Sequence, residues 1–207
     1  MQDPNTVTGF KAFLSRRMLI CVMTGFASGM PLYLLIQLVP AWLRSAEVSL
    51  AEIGLFALVG LPYTWKFLLA PLMDRIRPPL GRRRGWMLAT QISLVISIGA
   101  LGYLDPLQQT ALIAVLASVI AFLSASQDVV IDAYRREILL DAELGLGNAI
   151  HVQAYRIASL VPGSLSLILA DRLPWTAVFW ITAAFMAVGI LLSLSIREPE
   201  DLSPRAR

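Results

Sequence analysis

Apolar residues along this chain gather into blocks separated by short polar stretches, at about 18–41, 52–72, 86–104, 109–131, 148–169 and 175–195. A helix rising 1.5 Å per residue needs about twenty apolar residues to cross about 30 Å of hydrocarbon. The pattern therefore predicts six transmembrane helices, and the fold class is an all-α polytopic membrane protein. The connections "RSAEVS", "DRIRPPLGRRRG", "DPLQQ", "RREILLDAELGLG" and "DRLP" are too short to hold another domain. Residues 1–17 are expected to form an N-terminal segment, 18–196 a helical bundle and 197–207 a polar tail. The apolar run from Met18 to Leu43 is too long for a secretory signal core, so an uncleaved first helix is expected. Phe10, Phe13 and Leu14 beside Lys11 predict a short interfacial helix before it. Trp42, Trp86 and Trp175 fall at block ends, where an amphipathic indole suits the membrane interface.

Composition agrees with the pattern: 57% of residues are hydrophobic and 15% charged, well away from the averages of soluble domains. The basic residues add an orientation. Lys11, Arg16, Arg17, Arg75, Arg77, Arg82, Arg83, Arg84, Arg135, Arg136, Arg197, Arg205 and Arg207 all fall on one side of the six blocks, against Arg44 and Arg172 on the other. By the positive-inside rule both termini are expected in the cytoplasm. Six helices with both ends inside form half of the plan of transporters built from two six-helix halves, each a 3+3 inverted repeat. The net charge of +3 follows from this topology, and no nucleic-acid partner is implied.

Several ionisable residues nevertheless lie within the blocks. A charge at mid-bilayer costs about 2.5–3.5 kcal/mol on insertion scales and faces a cavity or a partner. Lys66, Asp128 and Arg156 each fall roughly 10–12 Å from the arginine-rich end of their helices, so they can share one layer. On the fourth block Ser124, Gln127, Asp128, Asp132 and Arg135 recur at three- and four-residue intervals and form one polar stripe. The stripe must face the bundle interior. Asp132, Arg135 and Arg136, near the surface, fit structural ion pairs, whereas Asp128, Lys66 and Arg156 fit a transport site. Cys21, the single cysteine, reads as a small buried hydrophobe, and His151, the single histidine, has no second histidine or cysteine nearby to make a metal site. No nucleophile constellation, phosphate loop, metal cluster or cofactor motif occurs, so neither an enzyme nor a cofactor is expected.

The loop "APLMDRIRPPLGRRRGW" resembles the signature between helices 2 and 3 of the major facilitator superfamily, Gly-x-x-x-Asp-Arg-x-Gly-Arg-Arg, with Asp74, Arg75, Gly81, Arg82 and Arg83 as the matching positions. Ala70 replaces its first glycine, and extra residues precede Gly81. With "GFASGMPL" (25–32), "YTWKFLLAPLMDR" (63–75), "PPLGRRRGW" (78–86), "SASQDVVIDAYRRE" (124–137) and "AYRIASLVPG" (154–163), the chain resembles the AmpG muropeptide permease family, a branch of that superfamily. The resemblance implies an inner-membrane carrier that brings anhydromuropeptides, the sugar-peptide fragments of wall turnover, into the cytoplasm with protons. It covers the N-terminal half of the family's length, so a second helical half or a second copy is an expected partner.

Against that expectation the residues take roles. Lys66 and Arg156 suit an anionic peptide, Gln127, Gln91 and Gln37 suit the sugar, and Gly29 and Pro31 allow close backbone approach. A proton carrier needs a carboxyl group that alternates between charged and neutral forms away from bulk water, and Asp128 is the best placed. The loop Asp74–Arg84 is expected to act as a cytoplasmic latch against the foot of the fourth block, near Asp132 and Arg135, with Asp74 or Asp132 pairing to its arginines in one state only. The alternatives are a non-transporting half that pairs with another bundle, and a related permease for another anion such as an acyl-coenzyme A.

Overall fold

The computed structural model describes residues 15–76, 78–196 and 198, with the side chains of residues 55, 57, 62, 67, 72 and 74 left aside. The expected interfacial helix near Phe10, the N-terminal segment before Ser15 and most of the polar tail lie outside the described residues. Among the described residues all regular structure is helical. Five helices are long and apolar enough to cross a membrane: α1 (Arg16–Ser45), α5 (Arg82–Leu101), α6 (Thr110–Ile138), α7 (Asp141–Ala170) and α8 (Trp175–Ser195).

The second block is different. It is broken into α2 (Leu50–Leu55), a 3-10 stretch Phe56–Gly60, α3 (Leu61–Thr64), a second 3-10 turn Lys66–Leu68 and α4 (Leu69–Arg75). The expectation of one continuous helix over 52–72 is corrected here. Pro62 and Pro71 each remove an amide donor and crowd the preceding turn, and Gly54 and Gly60 weaken the helix between them. Helix α6 also runs to Ile138, two turns beyond the expected end near 131.

Helix α1 is central, packing against α6, α7 and α8. Its contact with α7 is the most extensive in the bundle, and its cause is visible in the sequence. Gly25 and Gly29 on α1 face Ala154 and Ala158 on α7, so the two backbones meet without intervening side chains. Small residues four apart are the usual means of close approach where lipid supplies no hydrophobic drive between helices. Above this contact α1 carries a π-helical turn, Leu34–Leu38, and α7 another, Val161–Leu165, and the two turns touch. Pro31 and Pro162 lie beside or within them, where a missing amide favours an irregular turn.

Two main apolar cores flank the central helix, beside a small cluster of Met18, Cys21 and Leu139. The larger joins Leu38, Trp42, Leu94, Ile98, Ile113 and Phe179; the smaller joins Ile20, Met73, Met87, Ile131 and Tyr134 nearer the arginine-rich end. Trp42 is 2% exposed, its ring 4.9 Å from Phe179 and 6.2 Å from Trp175. It belongs to a buried aromatic cluster rather than to the membrane interface. Trp86 behaves as an end residue, donating its indole N–H to the Ile76 carbonyl at 3.1 Å.

Candidate functional site

The polar stripe of α6 does face inward, and it meets three other segments there. Ser28 of α1 donates to Asp128 Oδ1 at 2.5 Å. The break in the second block brings Lys66 to the same place. From α7 come Asn148, His151, Tyr155 and Arg156, and from α1 also Tyr33. Together these side chains line a cavity of about 410 Å³ whose inner wall holds Asp128 and whose outer part holds Asp132 and Arg135. Asp128 is 8% exposed. Tyr33 and Tyr155 form one wall, edge to face with centroids 5.6 Å apart.

Charge in the cavity is unevenly matched. Arg135 donates to Asp132 Oδ1 at 2.9 Å and to Asn148 Oδ1 at 3.3 Å, while its buried Nη1 has no acceptor. Lys66 and Arg156 make no ion pair among the described residues. Three cations thus share the space with two carboxylates, one bonded to a serine and the other to Arg135. The cavity therefore holds more donors than acceptors to meet them. Arg135 and Asp132 also border a neighbouring cavity of about 370 Å³ toward the arginine-rich end, so they stand between the two spaces.

Several expected site residues are placed elsewhere. Gln127 is fully buried and donates to the Ala27 carbonyl at 3.0 Å, on the side of α6 turned to α1. Gln91 is fully buried between α5 and α8, where it accepts from Ser193 at 2.8 Å. Gly29 is pressed against the Tyr155 carbonyl. Gln37 lies against Gly163 where the two π turns meet. None of these four is on the cavity wall; the glutamines lie in helix seams, each with one buried amide atom unpartnered, and Gly29 lies in the contact between α1 and α7.

The loop after α4 also departs from expectation. Arg82 donates to Glu137 at 3.1 Å, and Arg83 reaches the same carboxylate at 2.7 Å. The loop arginines thus pair with Glu137, at the extended foot of α6, whereas Asp132 is paired to Arg135 on its own helix. The Asp74 side chain lies outside the described residues, and Arg75 is exposed at the end of α4. Gly81 has φ +108° and precedes the first turn of α5 with no side-chain cap. Glu198 supplies the cap from outside: its carboxylate accepts the backbone N–H groups of Arg83 and Arg84 at 2.7 and 2.9 Å. Arg84 returns the bond by donating to the Ser193 and Leu194 carbonyls at the end of α8.

Sequence reasoning missed Ser28, Tyr33, Asn148, His151 and Tyr155 as wall residues, and Glu137 and Glu198 as loop partners. A usable signal existed on α7: Asn148, His151, Val152, Tyr155 and Arg156 recur at helical spacing as one face.

Apolar helices of spanning length around a charged internal cavity, with an arginine-rich loop between the second and third segments, define a multi-pass helical membrane protein. Residues 21–207 match the profile of the Major Facilitator Superfamily, and the chain belongs to that family. An uncharacterized protein of Haemophilus influenzae is 53% identical over 188 residues, spanning 90% of this chain and 44% of that protein. The anhydromuropeptide permease of Escherichia coli K12 is 47% identical over 196 residues, 94% of this chain and 40% of the permease. A putative transporter AmpG 1 of Rickettsia prowazekii is 30% identical over 177 residues, 83% of this chain and 40% of that protein. The chain thus spans less than half the length of the curated relatives it matches.

Proposed function

We propose that this chain forms the substrate-binding half of a bacterial inner-membrane permease that imports anhydromuropeptides with protons. The cavity carries the reading: Lys66, Arg135 and Arg156 converge on a space beside the buried Asp128, in a chain 47% identical to an anhydromuropeptide permease. The peptide carboxylates of the solute meet the cations. Asp128 is the proton-coupling group, because it is the carboxylate held deepest in the wall and bonded to a hydroxyl rather than to a cation. An arriving anion competes for Lys66 and Arg156, leaves Asp128 without a counter-charge, and so favours its protonation.

The arginine-rich end is assigned to the cytoplasm on the positive-inside rule, with both termini there. Helix α7 supports a partner bundle. Of the five long helices it is the least covered, with 28% of its most apolar window buried, and it exposes Gln153, Arg156 and Ser164 as well as apolar residues. Polar groups at that depth are poorly served by lipid, so a second half, or a second copy, closes the cavity from that side.

The test is uptake of labelled anhydromuropeptide by permease-deficient cells expressing the protein, alone and with a second half. Accumulation that depends on the proton gradient, and fails in Lys66→Gln with Arg156→Gln, is the expected result. Unchanged uptake in that double variant would mean that the cavity is not the solute site.

A further inference from the structure

His151 reads from the sequence as too isolated to form a metal site, and its surroundings restrict its chemistry. Its Nδ1 is 3.4 Å from the Thr24 hydroxyl. That hydroxyl already spends its proton on the Ile20 carbonyl at 2.7 Å, so toward the ring it acts only as an acceptor. The Cys21 carbonyl, 3.2 Å from the same hydroxyl, is a second acceptor for the hydroxyl proton. With the hydroxyl proton on the Ile20 carbonyl, Nδ1 is the nitrogen placed to carry the ring proton of the neutral imidazole, which leaves a lone pair on Nε2. The ring sits on the cavity wall, and Nε2 has no hydrogen-bond partner among the described residues.

A bare nitrogen is unusual in this wall. Lys66, Arg135 and Arg156 only donate. Asp132 Oδ1 and Asn148 Oδ1 accept from Arg135 and Asp128 Oδ1 from Ser28; the two carboxylates keep further acceptor sites but are charged, whereas Nε2 is a neutral nitrogen acceptor. We propose that His151 is a specificity residue: through Nε2 it accepts a hydrogen bond from a neutral O–H or N–H group of the solute, while the cations hold the carboxylate. The preferred ligand is then an anion that also carries a hydroxyl or amide donor, such as a sugar-peptide, and a plain carboxylate fits less well. This rests on the reading of the cavity as the solute site. The identity of the proton-bearing nitrogen does not depend on that reading.

The experiment uses the protein labelled with ¹⁵N-histidine, purified without a histidine tag and placed in nanodiscs. The His151 resonances are assigned by their loss in His151→Asn. The expected spectrum shows a protonated Nδ1 and a bare Nε2. Addition of N-acetylglucosaminyl-anhydromuramyl tripeptide should move Nε2 and leave Nδ1 nearly still. Two variants separate recognition from packing. His151→Asn can keep a donor near Thr24 but lacks an acceptor at the Nε2 position, whereas His151→Gln keeps the acceptor and loses the Thr24 bond. Asn should weaken muropeptide binding roughly fivefold, the worth of about one hydrogen bond, and Gln by less than about twofold. The reverse order, with Gln the weaker binder, means that the residue serves packing and overturns the proposal. So does a protonated Nε2, or an Nε2 that ignores a solute the protein binds. If the wild-type protein binds no muropeptide, the functional reading fails and the ligand assigned to His151 fails with it; a solute-insensitive Nε2 in a protein that does bind defeats this inference alone.

Discussion

Replacing Gly25 by alanine tests the seam on which the cavity is built. The added methyl would lie 2.3 Å from the His151 carbonyl oxygen, 3.0 Å from its carbon and 3.1 Å from the Ala154 Cβ. Ordinary carbon contacts begin near about 3.5 Å, so α1 and α7 must part by about 1 Å. The obstacle is backbone inside a helix, which has no rotamer by which to yield. Overpacking of this kind costs about 1–3 kcal/mol. Alanine also gains about 1 kcal/mol over glycine in a helix interior, which would mask part of the loss. Gly145→Ala is the control, because nothing lies within 4 Å of its Cβ. Unfolding in mixed micelles with increasing dodecyl sulfate, followed by circular dichroism, should place Gly25→Ala about 1–3 kcal/mol below Gly145→Ala. Equal stability of the two would show that the helices are not locked backbone to backbone.

The remaining predictions address the aromatic cluster, the loop, the coupling group and the topology. Trp42→Ala should cost about 3–5 kcal/mol in the same unfolding assay, whereas loss of an interfacial anchor would cost much less. Glu137→Gln should destabilise by about 1–3 kcal/mol, since it removes the negative charge shared by Arg82 and the buried Arg83; Asp141→Asn, in an exposed pair with Arg136, should change stability by less than about 1 kcal/mol. Asp128→Asn should abolish gradient-driven accumulation of muropeptide while equilibrative exchange continues, and continued accumulation would refute the coupling role. Cysteine at Ser45 should react with an impermeant thiol reagent added outside the cell and cysteine at Ser203 should not; labelling at Ser203 would reverse the orientation.

What could be read from the sequence follows the range of the interactions. The apolar blocks are a local property, and the stripe on α6 needs only helical spacing, so Asp128, Lys66 and Arg156 could be assigned to one layer before any contact was known. The family resemblance was legible because its motifs are contiguous. The glutamines show where this reasoning stops. Gln91, Gln127 and Gln37 lie at depths suited to a solute, but whether an amide turns to a cavity or to a helix seam depends on the rotation of its helix about its neighbours, which residue spacing does not specify. His151 was hidden for a related reason: its role depends on which ring nitrogen Thr24 occupies, and Thr24 is on another helix. The broken second block could have been expected from Pro62 and Pro71, which outweigh its apolar content. Glu137 became the partner of the loop arginines only because α6 continues to Ile138.

The π turns in α1 and α7 give these helices a phase offset. A π turn holds about one residue more than the α-helical turn it replaces, so the faces before and after it are rotated by about 100° relative to an unbroken helix. On α1, Thr24 and Ser28 point to the cavity and to α7, while beyond Leu34–Leu38 the helix turns Trp42 onto Phe179 of α8. An uninterrupted α1 could not serve both neighbours with these same residues. Deleting one residue from 34–38 would restore regular helical bonding yet swing Trp42 away from its cluster, so the locally better helix would be the worse-fitting one. The irregular turn works as a splice that lets one helix present two differently oriented surfaces.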